Sequence, residues 1–312
     1  MTKRIALLFT GQNALAVGMG KDLAEHYPAI AEFYRAADFQ LGRPISELSF
    51  HGPESDLFQT VHEQPAVYVH SLACLMALKH EWGSFPVTAA AGLSVGEVTA
   101  YAAADAYPAD TGLTLVAERA RLMHEACQRT PGSMAVLRGA EENDVRNLAA
   151  EFDVDIASVN APGEILIAGE TSKVTVAVSM GKEYGIPEAG FLNHVEGAFH
   201  SRLMNPAWEA FGKVLERTEI RSPKFEVISN VDALPVTDPA AIRKSLQDQL
   251  TSTVRWQDTI ERLLGEYRID QFIELGSDGK LADLVKRVRS DAAVVSISDI
   301  PSLRRALAAL RS

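Results

Sequence analysis

The chain has 312 residues, a formal charge of −11, and 47% hydrophobic and 23% charged residues, enough length to bury a sizeable core as one large domain or one carrying a subdomain. The acidic balance argues against a nucleic-acid surface and against a polybasic membrane patch. Two cysteines, Cys74 and Cys127, make neither a disulfide framework nor a metal-ligand set, and both fall in helix-like apolar patterns where core packing is expected.

Met1-Thr2-Lys3-Arg4 leads into only a short apolar run, Ile5 to Phe9. No signal peptide is visible, and no stretch is long and apolar enough to span a bilayer, so a cytoplasmic protein is expected. The run is expected to be a buried parallel strand opening into a turn at Thr10-Gly11-Gln12-Asn13. Ligands in open α/β sheets gather at such strand ends, which makes Gln12 a candidate site residue. Helical patterns follow over Lys21 to Arg35 and toward Pro53-Glu54-Ser55-Asp56, and Gln64-Pro65-Ala66 introduces a helix over Val67 to Trp82 that is apolar on most faces.

Val87 to Ala91 has the small apolar residues of a buried strand, and Val98 to Ala104 is an alanine-rich helix. Between them stands Gly92-Leu93-Ser94-Val95-Gly96-Glu97, a G-x-S-x-G sequence at a strand-to-helix junction. That is the pattern of a nucleophile elbow, in which one serine hydroxyl projects from a sharp turn beside a helix N-terminus. The bland alternative is a Gly/Ser turn between two buried elements. Asp110 or Thr111 then caps a helix running to about Arg129, with Leu113, Val116, Ala120 and Met123 as its apolar stripe. Arg119 lies beside that stripe. It is either a snorkelling or salt-bridged edge residue, or a planar fork aimed into a cleft and suited to a carboxylate.

From about Pro131 the texture changes. Strands are expected over Ser133–Leu137, Val154–Val159, Glu164–Gly169 and Ala189–Leu192, with helices over Glu141–Phe152 and Thr171–Tyr184 and a turn at Asn160-Ala161-Pro162-Gly163. This β-α-β-turn-β-α-β series is the ferredoxin-like pattern, expected as a subdomain at 130–196 inserted into a large α/β domain of residues 1–129 and 197–312. The large domain resumes with a helix over Leu203–Arg217 and a strand over Phe225–Asn230, then helices over Ala240–Leu250 and Gln257–Tyr267. A strand at Gln271–Leu275, a basic helix at Leu281–Arg289, a strand at Ala293–Ile297 and a short helix close the chain.

A serine nucleophile needs a base within hydrogen-bond reach. Of the eight histidines, His194 and His200 sit where the chain re-enters the large domain, and His200, beside Ala198 and Phe199, is the better candidate. No histidine follows it, which counts against the Ser, Asp/Glu, His order of an ordinary esterase. No His/Cys/Asp cluster shows metal-ligand spacing, so no metal is expected.

These pieces, with Gly52-Pro53-Glu54, Glu118-Arg119, Ser229-Asn230-Val231-Asp232-Ala233 and Val254-Arg255-Trp256, occur in one order over essentially the whole length. In that order the chain resembles the malonyl-CoA:acyl carrier protein transacylases of fatty-acid and polyketide synthesis. The resemblance implies an α/β-hydrolase-like large domain with a ferredoxin-like insertion. It implies ping-pong transfer of malonyl from malonyl-CoA, a substrate and not a resident cofactor, to the phosphopantetheine thiol of an acyl carrier protein. Ser94 would be the nucleophile and His200 its base, oriented by a backbone carbonyl near Gln249. Gln12 and Val95 would supply oxyanion N–H groups, and Arg119 would hold the malonyl carboxylate. Gln64 and Asn160 align with polar residues near the site, and Phe199 with Val95 favours malonyl over methylmalonyl. No cofactor is implied, and a monomer is expected. A local basic patch for the carrier is sought among Arg202, Arg255, Lys286, Arg287 and Arg289, which equally suit a solvated face. A thioester hydrolase on the same scaffold is the alternative. The chain departs from the family pattern at Leu93, usually histidine, at Asn13 and Ala120, usually glycine, and at Gly276-Ser277-Asp278, usually Gly-Pro-Gly.

Overall fold

The computed structural model describes residues 3–311. Strand β1 (Ile5–Phe9) is buried along its whole length, as an unbroken apolar run must be when both faces of a parallel sheet are covered. The single helix expected over Lys21–Arg35 is two, α1 (Lys21–His26) and α2 (Pro28–Leu41). Tyr27 between them is extended, with φ −117° and ψ 107°. A residue before proline is pushed out of the helical region, and Pro28 then opens α2.

After α3 (Ile45–His51) and α4 (Glu54–Leu57) comes α5 (Thr60–Trp82). It begins seven residues before the expected Val67 and carries Pro65 inside it. Proline at that place removes the N–H that would bond the Val61 carbonyl. Arg43 Nη2 donates to that carbonyl at 2.8 Å, so the freed acceptor is satisfied from outside the helix. Strand β2 (Ala89–Gly92) runs into α6 (Val95–Ala103), and α7 (Ala109–Arg129) follows. Neither Asp110 nor Thr111 caps α7. The helix opens at Ala109 after Pro108, and the Asp110 carboxylate accepts from the Thr111 N–H at 2.6 Å. The stripe of Leu113, Val116, Ala120 and Met123 is buried as read.

The insertion comprises β3 (Gly132–Arg138), α8 (Glu142–Glu151), β4 (Asp155–Ala161), β5 (Glu164–Glu170), α9 (Thr171–Met180) and β6 (Glu188–Phe191). Its sheet is ordered β4-β5-β3-β6 with every pair antiparallel, the ferredoxin-like arrangement. Asn160 and Ala161 belong to β4, so the turn shrinks to Pro162-Gly163.

The chain then adds α10 (Asn205–Arg217), β7 (Glu226–Ile228), β8 (Pro235–Val236), α11 (Pro239–Asp248), α12 (Trp256–Gly265), β9 (Gln271–Leu275), α13 (Lys280–Val288), β10 (Val294–Ile297) and α14 (Ile300–Arg311). The large sheet is ordered β10-β9-β1-β2-β7-β8. All its pairs are parallel except β7 with β8. Sequence reading missed β8, two residues on the edge, where Pro235 withholds no interior ladder bond. The fold is thus an α/β-hydrolase-like large domain carrying a ferredoxin-like subdomain. The segment between α11 and α12 is tied to β4 of the insertion through Val254, whose N–H donates to Ala157 O and whose carbonyl accepts from Val159 N, both at 2.9 Å. Among the described residues no helix is long and apolar enough to cross a membrane.

Candidate active site

Ser94 lies between the end of β2 and the first residue of α6, with φ 55° and ψ −113°. The flanking glycines, Gly92 and Gly96, take no positive φ. Their need is close approach: a Cβ on Gly92 would come 1.9 Å from the Gly96 carbonyl carbon, and one on Gly96 2.2 Å from Phe9 O. Glycine lets α6 press against the sheet, and the left-handed backbone falls on the serine itself. Asn230, at the end of β7, holds the turn from both sides. Its Oδ1 accepts from the Ser94 N–H at 2.8 Å and its Nδ2 donates to Gly92 O at 2.8 Å.

His200 Nε2 stands 2.8 Å from Ser94 Oγ, and Nδ1 stands 2.8 Å from the Gln249 carbonyl oxygen. A carbonyl can only accept, so Nδ1 carries the proton and Nε2 is free to take the serine's. Burial first, and then the charge of Arg119, lower the His200 pKa to about 4, against the opposing pull of the Gln249 carbonyl. The imidazole is therefore neutral at pH 7, the state a general base requires.

Arg119 is 0% exposed, which removes the snorkelling alternative. Its Nη1 donates to Gln64 Oε1 at 2.6 Å, and its Nη2 donates to Gln249 Oε1 at 2.8 Å and to Ser94 Oγ at 3.0 Å. Burial lowers its pKa to about 10, so it remains charged at neutral pH. Its negative counterpart is Glu97, reached through the Gln249 side chain, whose Nε2 donates to Glu97 Oε2 at 2.6 Å and to Ser94 O at 3.0 Å. Glu97 also accepts from Asn230 N at 3.0 Å and Ser245 Oγ at 3.2 Å, while burial lifts its pKa to about 7. Gln249 thus serves twice, its carbonyl on the base and its amide between a buried cation and a buried acid. Glu97 and Asn230 lie inside motifs the sequence displays, but nothing in their spacing assigns them a partner.

The cleft over Ser94 lies between the two sheets. Gly11, Gln12, Asn13, Leu93, Phe199 and His200 line it from the large domain, and Met134, Ser158, Asn160, Leu166 and Leu192 from the subdomain side. Apolar walls with a few converging polar groups suit a small acyl ligand. Asn160 is 9% exposed, accepting from Ser158 Oγ at 2.5 Å and donating to Glu164 Oε1 at 3.1 Å. Gln64 sits behind the wall, on Arg119. Gln12 turns its side chain from the cleft, Nε2 donating to Thr60 Oγ1 at 2.8 Å and Glu63 Oε2 at 2.7 Å. Val95 opens α6, where N–H groups lack intrahelical acceptors. His194 also lines the cleft but stacks on Phe58, centroids 5.1 Å apart, so of the two late histidines only His200 meets the serine. Arg202 is paired with Asp153 and Asp155, Arg255 with Glu142 and Asp258, and Arg287 with Glu164. Of the five basic residues, Lys286 and Arg289 alone have no acid partner among the described residues.

A serine on a strained strand-to-helix turn, with an oriented neutral imidazole on its oxygen, defines the serine acyl-enzyme class, and the guanidinium beside it suits an acyl group that bears a carboxylate. The acyl transferase domain family matches residues 6–310. A malonyl CoA-acyl carrier protein transacylase of Bacillus subtilis (strain 168) is 35% identical over 99% of this chain and 98% of its own length. The structure of the Coxiella burnetii malonyl CoA-acyl carrier protein transacylase superimposes with a TM-score of 0.94 at 29% identity, covering 100% of this chain and 99% of that one. A malonyl-transacylase solved in complex with its type II PKS acyl-carrier protein gives 0.92 at 32% identity, covering 98% of this chain and 99% of that one. The chain belongs to the malonyl-CoA:acyl carrier protein transacylase family.

Proposed function

We propose that this chain moves malonyl from malonyl-CoA to the phosphopantetheine thiol of an acyl carrier protein, through a malonyl ester on Ser94. The observation that carries the reading is one oxygen with two neighbours: Ser94 Oγ lies 2.8 Å from His200 Nε2 and 3.0 Å from Arg119 Nη2. His200 takes the serine proton as Oγ attacks the thioester carbon, and then gives it to the departing CoA sulfur. The N–H groups of Gln12 and Val95 stabilise the tetrahedral oxyanion, each donor worth about 3–4 kcal/mol in comparable sites. The carrier thiol enters, loses its proton to His200, attacks the ester carbon, and Ser94 recovers the proton as it leaves.

The malonyl carboxylate lies two bonds from the ester carbonyl carbon, so a guanidinium within hydrogen-bond range of Oγ is within its reach. The carboxylate displaces a neutral amide oxygen, of Gln64 or Gln249, from Arg119 and replaces that bond with one between opposite charges. Phe199, on the cleft wall, takes up the space an α-methyl group needs, and Asn160 contributes to the polar wall. The chain is divided into a large domain of 1–129 with 197–312 and a subdomain of 130–196. It acts as a cytoplasmic monomer without a resident cofactor, and Lys286 and Arg289, the two basic candidates with no acid partner among the described residues, serve the carrier's docking. Incubation with malonyl-CoA, with and without a pantetheinylated carrier, tests this by following malonyl carrier, free malonate and acyl-enzyme. Carrier-dependent transfer is expected; free malonate formed at the same rate with or without carrier identifies a hydrolase.

A further inference from the structure

Glu63 is the fourth residue of α5 and has no exposed surface. Both of its oxygens face one short loop that precedes it by fifty residues. Oε1 accepts from the Asn13 N–H at 2.5 Å, and Oε2 accepts from Gln12 Nε2 at 2.7 Å. Gln12 Nε2 also donates to Thr60 Oγ1, one helical turn from Glu63. Gln12, which lines the cleft, is therefore held at its side-chain amide and at the peptide that follows it. The loop itself has little slack. A Cβ on Gly11 would stand 2.7 Å from the Leu93 carbonyl oxygen, next to the elbow, and Asn13 is held at φ 61°, a left-handed conformation unusual outside glycine.

We infer that Glu63 is a positioning residue for the oxyanion loop, fixing Gln12 so that its backbone N–H addresses the oxygen that becomes charged on Ser94. The role rests on the acyl-serine reading. The anchor is itself tied down, because the Thr60 N–H donates to Glu196 Oε1 at 2.9 Å and Glu196 Oε2 meets His124 Nδ1 at 2.9 Å. The ionised carboxylate accepts on both oxygens, one for each donor, whereas protonation turns one of them into an O–H donor that weakens the grip. Burial raises the Glu63 pKa to about 7, opposed by the Gln12 and Asn13 donors and by Lys280 and reinforced by Glu196. At pH 8, above that value, the carboxylate form that grips both donors predominates.

The test is acyl-enzyme formation from malonyl-CoA at pH 8 in wild type, Glu63→Gln, Gln12→Ala and the double variant. The glutamine side chain sets an NH₂ against one of the two donors, and Gln12→Ala removes the side-chain anchor while keeping the backbone N–H. Each single variant is expected to acylate about tenfold more slowly at saturation, a fraction of the 10²–10³ lost when an oxyanion donor is removed. The half-saturating malonyl-CoA concentration stays unchanged, and the double variant is no slower than the slower single one. Unchanged rates, or rate losses that multiply in the double variant, overturn the role. If Glu63→Gln does not fold, an undiminished rate in Gln12→Ala overturns it equally. Wild type that forms no acyl-enzyme overturns the acyl-serine reading, whereas wild type that acylates beside an equally fast Glu63→Gln overturns the Glu63 role alone.

Discussion

His200 shares its serine with a guanidinium, and that neighbour costs it basicity. The charge of Arg119 adds to burial in bringing the imidazole to about 4, while Glu63 and Glu97 are pushed the other way, each to about 7. The signs separate the titrations. As pH falls through 7 the two glutamates take up protons, and Gln12, Asn13 and Gln249 lose charged acceptors; His200 keeps its free Nε2 until pH nears 4. The pH profile of acylation should therefore fall in two steps, an upper one near 7 and a lower one near 4. The double variant Glu63→Gln/Glu97→Gln should lack the upper step and keep the lower. A single step at the ordinary histidine value in both proteins would contradict this. Arg119→Ala should slow acylation by malonyl-CoA at least a hundredfold and leave acetyl-CoA unaffected or faster; equal losses would remove the carboxylate clamp. Ser94, His200 and Arg119 were legible in the sequence because each belongs to a short ordered motif. Glu63 and Glu97 were not, because a buried acid is defined by what folds over it: Asn230, Ser245 and Gln249 reach Glu97 from more than a hundred residues away.

Helix α5 illustrates what local patterns miss at the level of an element. Pro65 reads as a helix opener, yet the helix already runs through it, because Arg43 supplies the bond that the proline cannot. That donor lies outside the helix and leaves no mark in its periodicity. Arg43→Ala should destabilise the protein by about 1 kcal/mol, the net worth of the hydrogen bond lost at a partly buried carbonyl. Equilibrium denaturation measures it, and a variant as stable as wild type would show that the carbonyl needs no outside partner. The G-x-S-x-G pattern marks the elbow as a turn but does not say what its glycines are for. Gly92 and Gly96 are required by the contact of α6 with β1 and β2, a tertiary constraint, while the unusual backbone belongs to Ser94.

At the scale of the molecule, alternating apolar strands and helices were enough to anticipate both sheets, since a parallel sheet and a ferredoxin-like sheet have different textures. The junction between them was not legible: Val254 pairs with the edge of β4, and Arg202, Arg255 and Arg287 are spent on subdomain carboxylates. A basic patch counted from the sequence is mostly neutralised by those pairs. The junction also sets the chemistry, since it closes the cleft around Ser94 from two sides. The most direct test is the intact mass of the protein after brief exposure to malonyl-CoA. Wild type should gain one malonyl group, carried on the peptide containing Ser94 and lost on adding a pantetheinylated carrier, and Ser94→Ala should gain none. Malonyl carrier formed by wild type with no adduct on Ser94, or formed as fast by Ser94→Ala, would contradict the acyl-serine mechanism.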